Sequence, residues 1–105
     1  MTEVGKLLRA VRTQGMMLRP LERKINTCKM PELRESMCAM YNREQRILDA
    51  KMKEVQPFLD KMTDELRVFC TMYYVHGFSI PDVSDMLERS ERQVARYKAK
   101  VEKGE

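Results

Sequence analysis

The sequence predicts an all-α fold in which a long N-terminal helical hairpin or coiled coil leads into a C-terminal helix-turn-helix. Three observations predict it. Helix-favouring residues dominate the 105 positions, with 10 Met, 20 Lys/Arg and only 4 Gly and 4 Pro, and straight-chain side chains lose little rotamer freedom in a helix. Apolar residues recur every three or four positions through most of the first 73 residues, the period of an amphipathic helix. Between Gly77 and Val94, two serines each open a short helical pattern, as N-caps do. The organisation read from these features is a hairpin or coiled-coil region over 1–60, for dimerisation or partner contact, and a helix-turn-helix over 61–105.

In the first helical segment Val4, Leu7, Val11, Gln14, Leu18, Leu21, Ile25 and Cys28 alternate at spacings of three and four, which is a heptad seam. Gly15 and Pro20 disturb it. Proline removes a backbone hydrogen bond and clashes with the preceding turn, so the segment either kinks or breaks near residues 16–19. Pro31 is pre-organised for a first helical position and marks a junction at Lys29–Glu32. Beyond it the seam resumes as Cys38, Gln45, Met52, Leu59, Leu66 and Tyr73 alternating with Tyr41, Leu48, Val55, Met62 and Phe69. Pro57 is expected to bend or interrupt this helix, and Thr63-Asp64 to cap a new one.

Folded as an antiparallel hairpin around residue 30, the two seams would place their only polar members, Gln14 and Gln45, in one layer. A buried polar pair can fix register at some cost in stability. A coiled coil between two chains explains the same periodicity. Met16, Met17 and Met37 lie off or beside the seam, where adaptable methionines serve either as core filler or as a groove for a partner helix.

The support helix of the second segment spans roughly Asp64 to Val75, with Leu66, Phe69, Cys70 and Tyr73 on one side. Gly77 stands where helices end in a left-handed residue. Ser79 and Asp82, then Ser90 and Gln93, have the spacing of capping boxes. Between them Val83, Met86 and Leu87 form the expected inward stripe, and Glu88-Arg89 the turn. In the last helix Val94, Tyr97 and Val101 face inward, leaving Arg92, Ala95, Arg96, Ala99 and Lys103 outward. Small residues between long cations let a helix approach a groove while the cations reach phosphates or base edges.

Net charge is +4 and uneven. Residues 1–57 carry 12 Lys/Arg against 7 Asp/Glu, residues 58–88 carry 2 against 6, and residues 89–105 carry 6 against 3. The basic C-terminal block suits a phosphate backbone. The expected partner is double-stranded DNA. Arg92 and Arg96 are the candidate base or phosphate readers, Arg89, Lys98, Lys100 and Lys103 the backbone contacts, and Gln93 a base contact unless its cap consumes it. The N-terminal helices are expected to form a homodimer or to contact RNA polymerase or another host protein.

Gly77 through Arg96 also resembles the helix-turn-helix of sigma-factor region 4, in the form found in small phage late-gene transcription regulators of the ArpU/RinA type. The matching residues are Tyr74, Gly77, Ser79, Asp82, Val83, Leu87, Ser90, Val94 and Arg96. The resemblance covers about the last 45 residues and implies a DNA-binding regulator whose recognition helix starts at Ser90. Two residues depart from the pattern, and a third adds to their effect. Ser84 replaces the usual alanine and brings a hydroxyl that needs a partner. Glu88 stands where glycine is common in the turn, and Glu91 adds a second carboxylate near DNA. These three, with the acidic 58–88 block, support an alternative: a protein-binding inhibitor or adaptor on the same scaffold, aimed at host RNA polymerase or a defence nuclease.

Other classes find no support. The single histidine, His76, precedes Gly77 at a helix end. No P-loop or glycine-rich nucleotide turn is present, and no catalytic, cofactor or metal residues are assigned. Cys28, Cys38 and Cys70 form no C-x-x-C pair. Surrounded by apolar neighbours, they are expected to be buried free thiols in a reducing compartment. With no apolar run near 18 residues and no signal-peptide pattern, the expected location is the cytoplasm, that of the host cell if the protein is phage-encoded.

Overall fold

The computed structural model describes residues 2–104, and among them all regular structure is helical. Helix α1 spans Glu3–Thr27, α2 Pro31–Asp60, α3 Asp64–Cys70, α4 Ile80–Leu87 and α5 Glu91–Lys103. A π-helical turn over Thr71–Val75 continues α3 without a break. Among the described residues no helix is long and apolar enough to cross a membrane.

The caps follow the sequence. Thr2 accepts a hydrogen bond from the Gly5 amide at 3.0 Å and starts α1. Pro31 opens α2 in place of a side-chain cap. Thr63 accepts from the Leu66 amide at the start of α3. Gly104 ends α5 in the left-handed conformation, with φ 75°.

Both internal prolines leave their helices continuous. α1 runs through Pro20 and α2 through Pro57, so the alternative of a break at residues 16–19 does not occur. Pro20 and Pro57 both lie on exposed faces. There the carbonyl one turn earlier is open to water, and the helix can bend around the core without leaving a buried group unpaired. Pro57 also stands only three residues from the helix end.

α1 and α2 lie against each other as a hairpin, joined by Cys28–Met30. Its polar layer differs from the sequence expectation. Gln14 is 5% exposed and donates to the Glu44 carbonyl at 3.1 Å and the Glu44 carboxylate at 2.6 Å. Gln45 instead donates to Asp49 along its own helix. The glutamate, with two acceptor oxygens and a backbone carbonyl beside it, offers the buried amide more acceptors than a second amide one residue away.

One core joins all five helices. Leu8 and Val11 of α1, Val55 and Leu59 of α2, Phe69 and Cys70 of α3, Val83 of α4, and Val94 and Val101 of α5 are buried together with Tyr74 of the π-turn. Segments 1–60 and 61–105 therefore share this core. Leu8 and Tyr74 are buried in this core although they lie off the predicted seams. Farther along the hairpin the seam has only two helices to bury it. Leu21, Ile25, Cys28, Cys38, Tyr41 and Leu48 are only partly covered. Dimensions of 49 × 27 × 20 Å reflect this projecting end. Of the cysteines only Cys70 is buried; Cys28 and Cys38 are half-exposed, against the expectation of three buried thiols.

Burial pushes the Cys70 thiol up to about 12, which leaves almost no reactive thiolate at neutral pH. Titration of the folded protein with a thiol reagent is expected to show two fast sulfhydryls and a third released only by denaturant. Three equally fast thiols would contradict this core.

Candidate nucleic-acid interface

The interface is built on the end of the support helix. The π-helical turn places Tyr74 wholly inside the core and half-buries Tyr73. Phe69, Tyr73 and Tyr74 stack or meet edge-on, with ring centroids 4.8–6.0 Å apart. Tyr97 of α5 joins them 5.9 Å from Phe69. The aromatic cluster thus ties the support helix to the helix expected to meet DNA. The Tyr74 hydroxyl is buried without a hydrogen-bond partner, and burial, followed by the nearby Glu102 carboxylate, raises its ionisation well above the usual range for tyrosine.

Two arginines of α1 secure the chain where it leaves the support helix. Arg12 donates to the Tyr73 carbonyl and, at 3.2 Å, to the Phe78 carbonyl. Its guanidinium also covers the Tyr73 ring at 4.0 Å. Arg19 donates to the His76 carbonyl at 2.6 Å. Gly77 has φ 75°, and a Cβ there would collide with the Arg19 guanidinium. The left-handed conformation is what calls for glycine here, since the end of the Arg19 side chain could shift to admit a Cβ.

α4 begins at Ser79, whose hydroxyl accepts from the Asp82 amide at 3.3 Å. Its inward face carries Val83 and Ser84, both buried, with Ile80 and Leu87 partly buried. Met86, expected inward, is 45% exposed. An eight-residue helix buries only about two adjacent positions per turn, and Val83, Ser84 and Leu87 already occupy that stripe.

The turn solves the problems raised by Ser84 and Glu88. The Ser84 hydroxyl donates to the Arg89 carbonyl across the turn. Glu88 takes the left-handed conformation, φ 54° and ψ 42°, the one non-glycine residue with positive φ among the described residues. Its amide still donates to the Asp85 carbonyl at 3.3 Å, and the Arg89 amide to the Ser84 carbonyl at 3.1 Å. The turn closes despite a Cβ that costs roughly 1–2 kcal/mol in this conformation.

α5 then starts at Ser90, which accepts from the Gln93 amide at 3.1 Å. Val94 and Val101 are buried and Tyr97 is half-buried, as the spacing predicts. On the other side Arg92, Ala95, Arg96, Lys100 and Lys103 are exposed, and Ala99 is half-buried. Gln93, Arg96 and Lys100 line a groove of about 380 Å³ with Thr63, Glu65 and Tyr97. Arg92, Arg96, Lys100 and Lys103 form no ion pair with the described carboxylates.

The remaining two candidates are engaged internally. Arg89 pairs with Glu65 of α3 at 2.9 Å. Lys98 pairs at 3.3 Å with Glu102, a buried carboxylate that also meets Arg9 at 3.6 Å. Glu65 reaches Arg89 only when α3 packs beside the turn, whereas Glu102 stands four residues after Lys98 on the same helix, a spacing that already marks the pair in the sequence. No His, Cys, Asp and Glu group among the described residues could hold a metal ion. Comparison with family models, curated proteins and solved structures yields no match.

Two outcomes are expected here. Glu88→Gly should raise unfolding stability by about 1 kcal/mol, because glycine adopts the left-handed turn without the Cβ penalty. An unchanged or lower midpoint in denaturant would contradict the strain. Glu65 is held below the usual carboxylate range by the Tyr97 hydroxyl and the Arg89 guanidinium. A depressed folded-state value contributes stability that is present above pH 4.5 and lost as pH falls through the folded value. Stability measured between pH 6 and 3 should therefore fall less steeply in Glu65→Gln than in the wild type.

Proposed function

We propose that the protein is a sequence-specific, double-stranded DNA-binding transcriptional regulator of phage type, docking through α5 and working in the cytoplasm of the host cell. The observation that carries this reading is the exposed row Arg92, Arg96, Lys100 and Lys103. These cations have no intramolecular carboxylate to neutralise them among the described residues, on a helix whose other face is fixed in the core. In a helix-turn-helix the second helix enters the major groove with its N-terminal residues at the base edges. Arg92 and Arg96 occupy that part of α5, with Gln93 beside them. Lys100 and Lys103 continue toward the backbone. Arg89 and Lys98 contribute to DNA binding only by leaving Glu65 and Glu102.

A second reading has its own observation. Val68, Thr71, Met72, Phe78 and Met86, with Arg67 and His76, line an almost wholly apolar groove of about 360 Å³ on the far side of the motif. α4 beside it bears Asp82 and Asp85 and no cation. An apolar floor beside acidic side chains suits a protein partner, as an inhibitor or adaptor acting on host RNA polymerase or a defence nuclease requires.

Titration of the protein onto random-sequence duplex DNA across a salt series separates the two. Four freed cations predict that log K falls with log salt with a slope of about −3 to −4, near −0.9 per phosphate neutralised. Arg92→Glu with Arg96→Glu should abolish binding while leaving the helical content unchanged. Absence of wild-type binding at low salt would reject the DNA reading in favour of the adaptor.

A further inference from the structure

The hairpin carries an apolar line that faces neither α1 nor the core. Leu33, Met40 and Ile47 of α2 are 49%, 51% and 40% exposed. They are spaced by seven residues, two helical turns, so they lie along one side of the helix. The Gln14–Glu44 contact fixes the hairpin register and brings Met17 of α1, 56% exposed, level with Tyr41. Isolated surface apolar residues are ordinary. A regular line of them on a projecting two-helix arm is not.

We propose that this line is the contact between two copies of the chain, with α2 packed antiparallel against α2 about a two-fold axis at Met40. This deepens the dimeric reading of the N-terminal helices and does not depend on DNA binding. The argument for a second copy, rather than another partner, is that the line is complementary to itself. A two-fold contact requires one patch to match its own reverse. Reversing the line about Met40 places Leu33 against Ile47 of the second copy, Ile47 against Leu33, and Met40 against Met40.

Charge agrees with the same axis. Glu32 immediately precedes Leu33 and Arg46 immediately precedes Ile47, so both lie on the same flank of the line. In an antiparallel pair that flank meets its own counterpart. Glu32 of each copy then comes beside Arg46 of the other, offset by two residues or about 3 Å along the axis. Neither residue forms an ion pair with another described residue, and the pairing generates two identical bridges. Ala39, next to Met40, is small enough for the helices to approach at the axis.

The axis can be tested directly in a Cys28→Ser, Cys38→Ser background, which leaves only buried Cys70. Under mild oxidation, Met40→Cys should link chains into a disulfide dimer, because only a residue at the two-fold axis meets itself. Ile47→Cys alone should remain unlinked, whereas Leu33→Cys with Ile47→Cys should link. Equal linking at positions 40 and 47, or none at 40, overturns the proposal. Sedimentation equilibrium of the unoxidised protein supplies the second measurement. Glu32→Arg or Arg46→Glu alone should weaken dimerisation by about tenfold, since two bridges are lost together and each exposed pair is worth up to about fivefold. The double reversal should restore it. A monomer at every concentration, or a failed restoration, overturns the proposal, and neither result bears on the salt dependence of DNA binding.

Discussion

The helix-turn-helix depends on the grip of α1 on the exit of the support helix. A π-helical turn and a left-handed glycine in succession leave the carbonyls of Tyr73, His76 and Phe78 without regular helical partners, and the guanidinium groups of Arg12 and Arg19 supply them. Of these three hydrogen bonds one is partly buried and two are exposed, so each contributes about 1 kcal/mol or less. Their larger effect is geometric. They fix the direction in which the chain passes through Gly77 into Ser79, and so the angle at which α4 leaves. The same helix holds the other end of the motif. The Thr2 hydroxyl donates to the Val101 carbonyl at 2.7 Å, and the Thr2 amide to the Glu102 carbonyl at 2.8 Å. α1 is therefore a strut touching both the first and the last helix of the motif, not an appendage to it.

That arrangement divides the basic residues into two groups. Cations near the strut or the support helix are neutralised from within: Arg89 by Glu65, and Lys98 by a buried Glu102 shared with Arg9. A buried carboxylate needs such company, since an unpaired one costs several kcal/mol. Cations farther round α5 have no such obligation. The net charge of the C-terminal block thus overstates what a polyanion would meet, and the count that matters is the four exposed residues from Arg92 to Lys103. Glu88 and Glu91 remain exposed near the start of this row, so the surface potential is more positive along the middle of α5 than at its N-terminal edge.

Local signals in the sequence were legible because their physics is local. Threonine or serine caps at Thr63, Ser79 and Ser90, the left-handed Gly77 and the inward valines Val83, Val94 and Val101 each need only a few neighbouring residues to be understood. The heptad seams were legible for the same reason. What could not be read was set by distant packing. The partner of Gln14 is Glu44 rather than Gln45, a shift of one residue that only the assembled hairpin defines. Met86 points outward because Ser84 finds the Arg89 carbonyl and takes an inward place usually given to a small apolar residue. Prolines 20 and 57 stay within continuous helices because both face solvent, which the proline alone does not reveal. Arg12 and Arg19 resembled any other basic residues on a helix until the end of the support helix lay against them.

The hairpin has a different balance at its two ends. Near the motif, α1 and α2 are covered by three further helices, and Leu8, Val11, Val55 and Leu59 are 0–4% exposed. Beyond Gln14 and Glu44 each helix has only the other, and a two-helix layer buries one stripe of each. A dimer through Leu33, Met40 and Ile47 would supply a third helix where coverage is poorest. It would also determine how two motifs are displayed. Val55 and Leu59 anchor each motif 15–19 residues from Met40, about 22–28 Å along α2. An antiparallel pair therefore separates the two anchoring points by roughly 45–57 Å, wider than the 34–36 Å of adjacent half-sites one helical turn apart. A DNA site matched to such a dimer would need its half-sites farther apart than one turn, or a bend between them. The geometry of the arm, more than the identity of the residues on α5, would then decide which pairs of sites one dimer can hold.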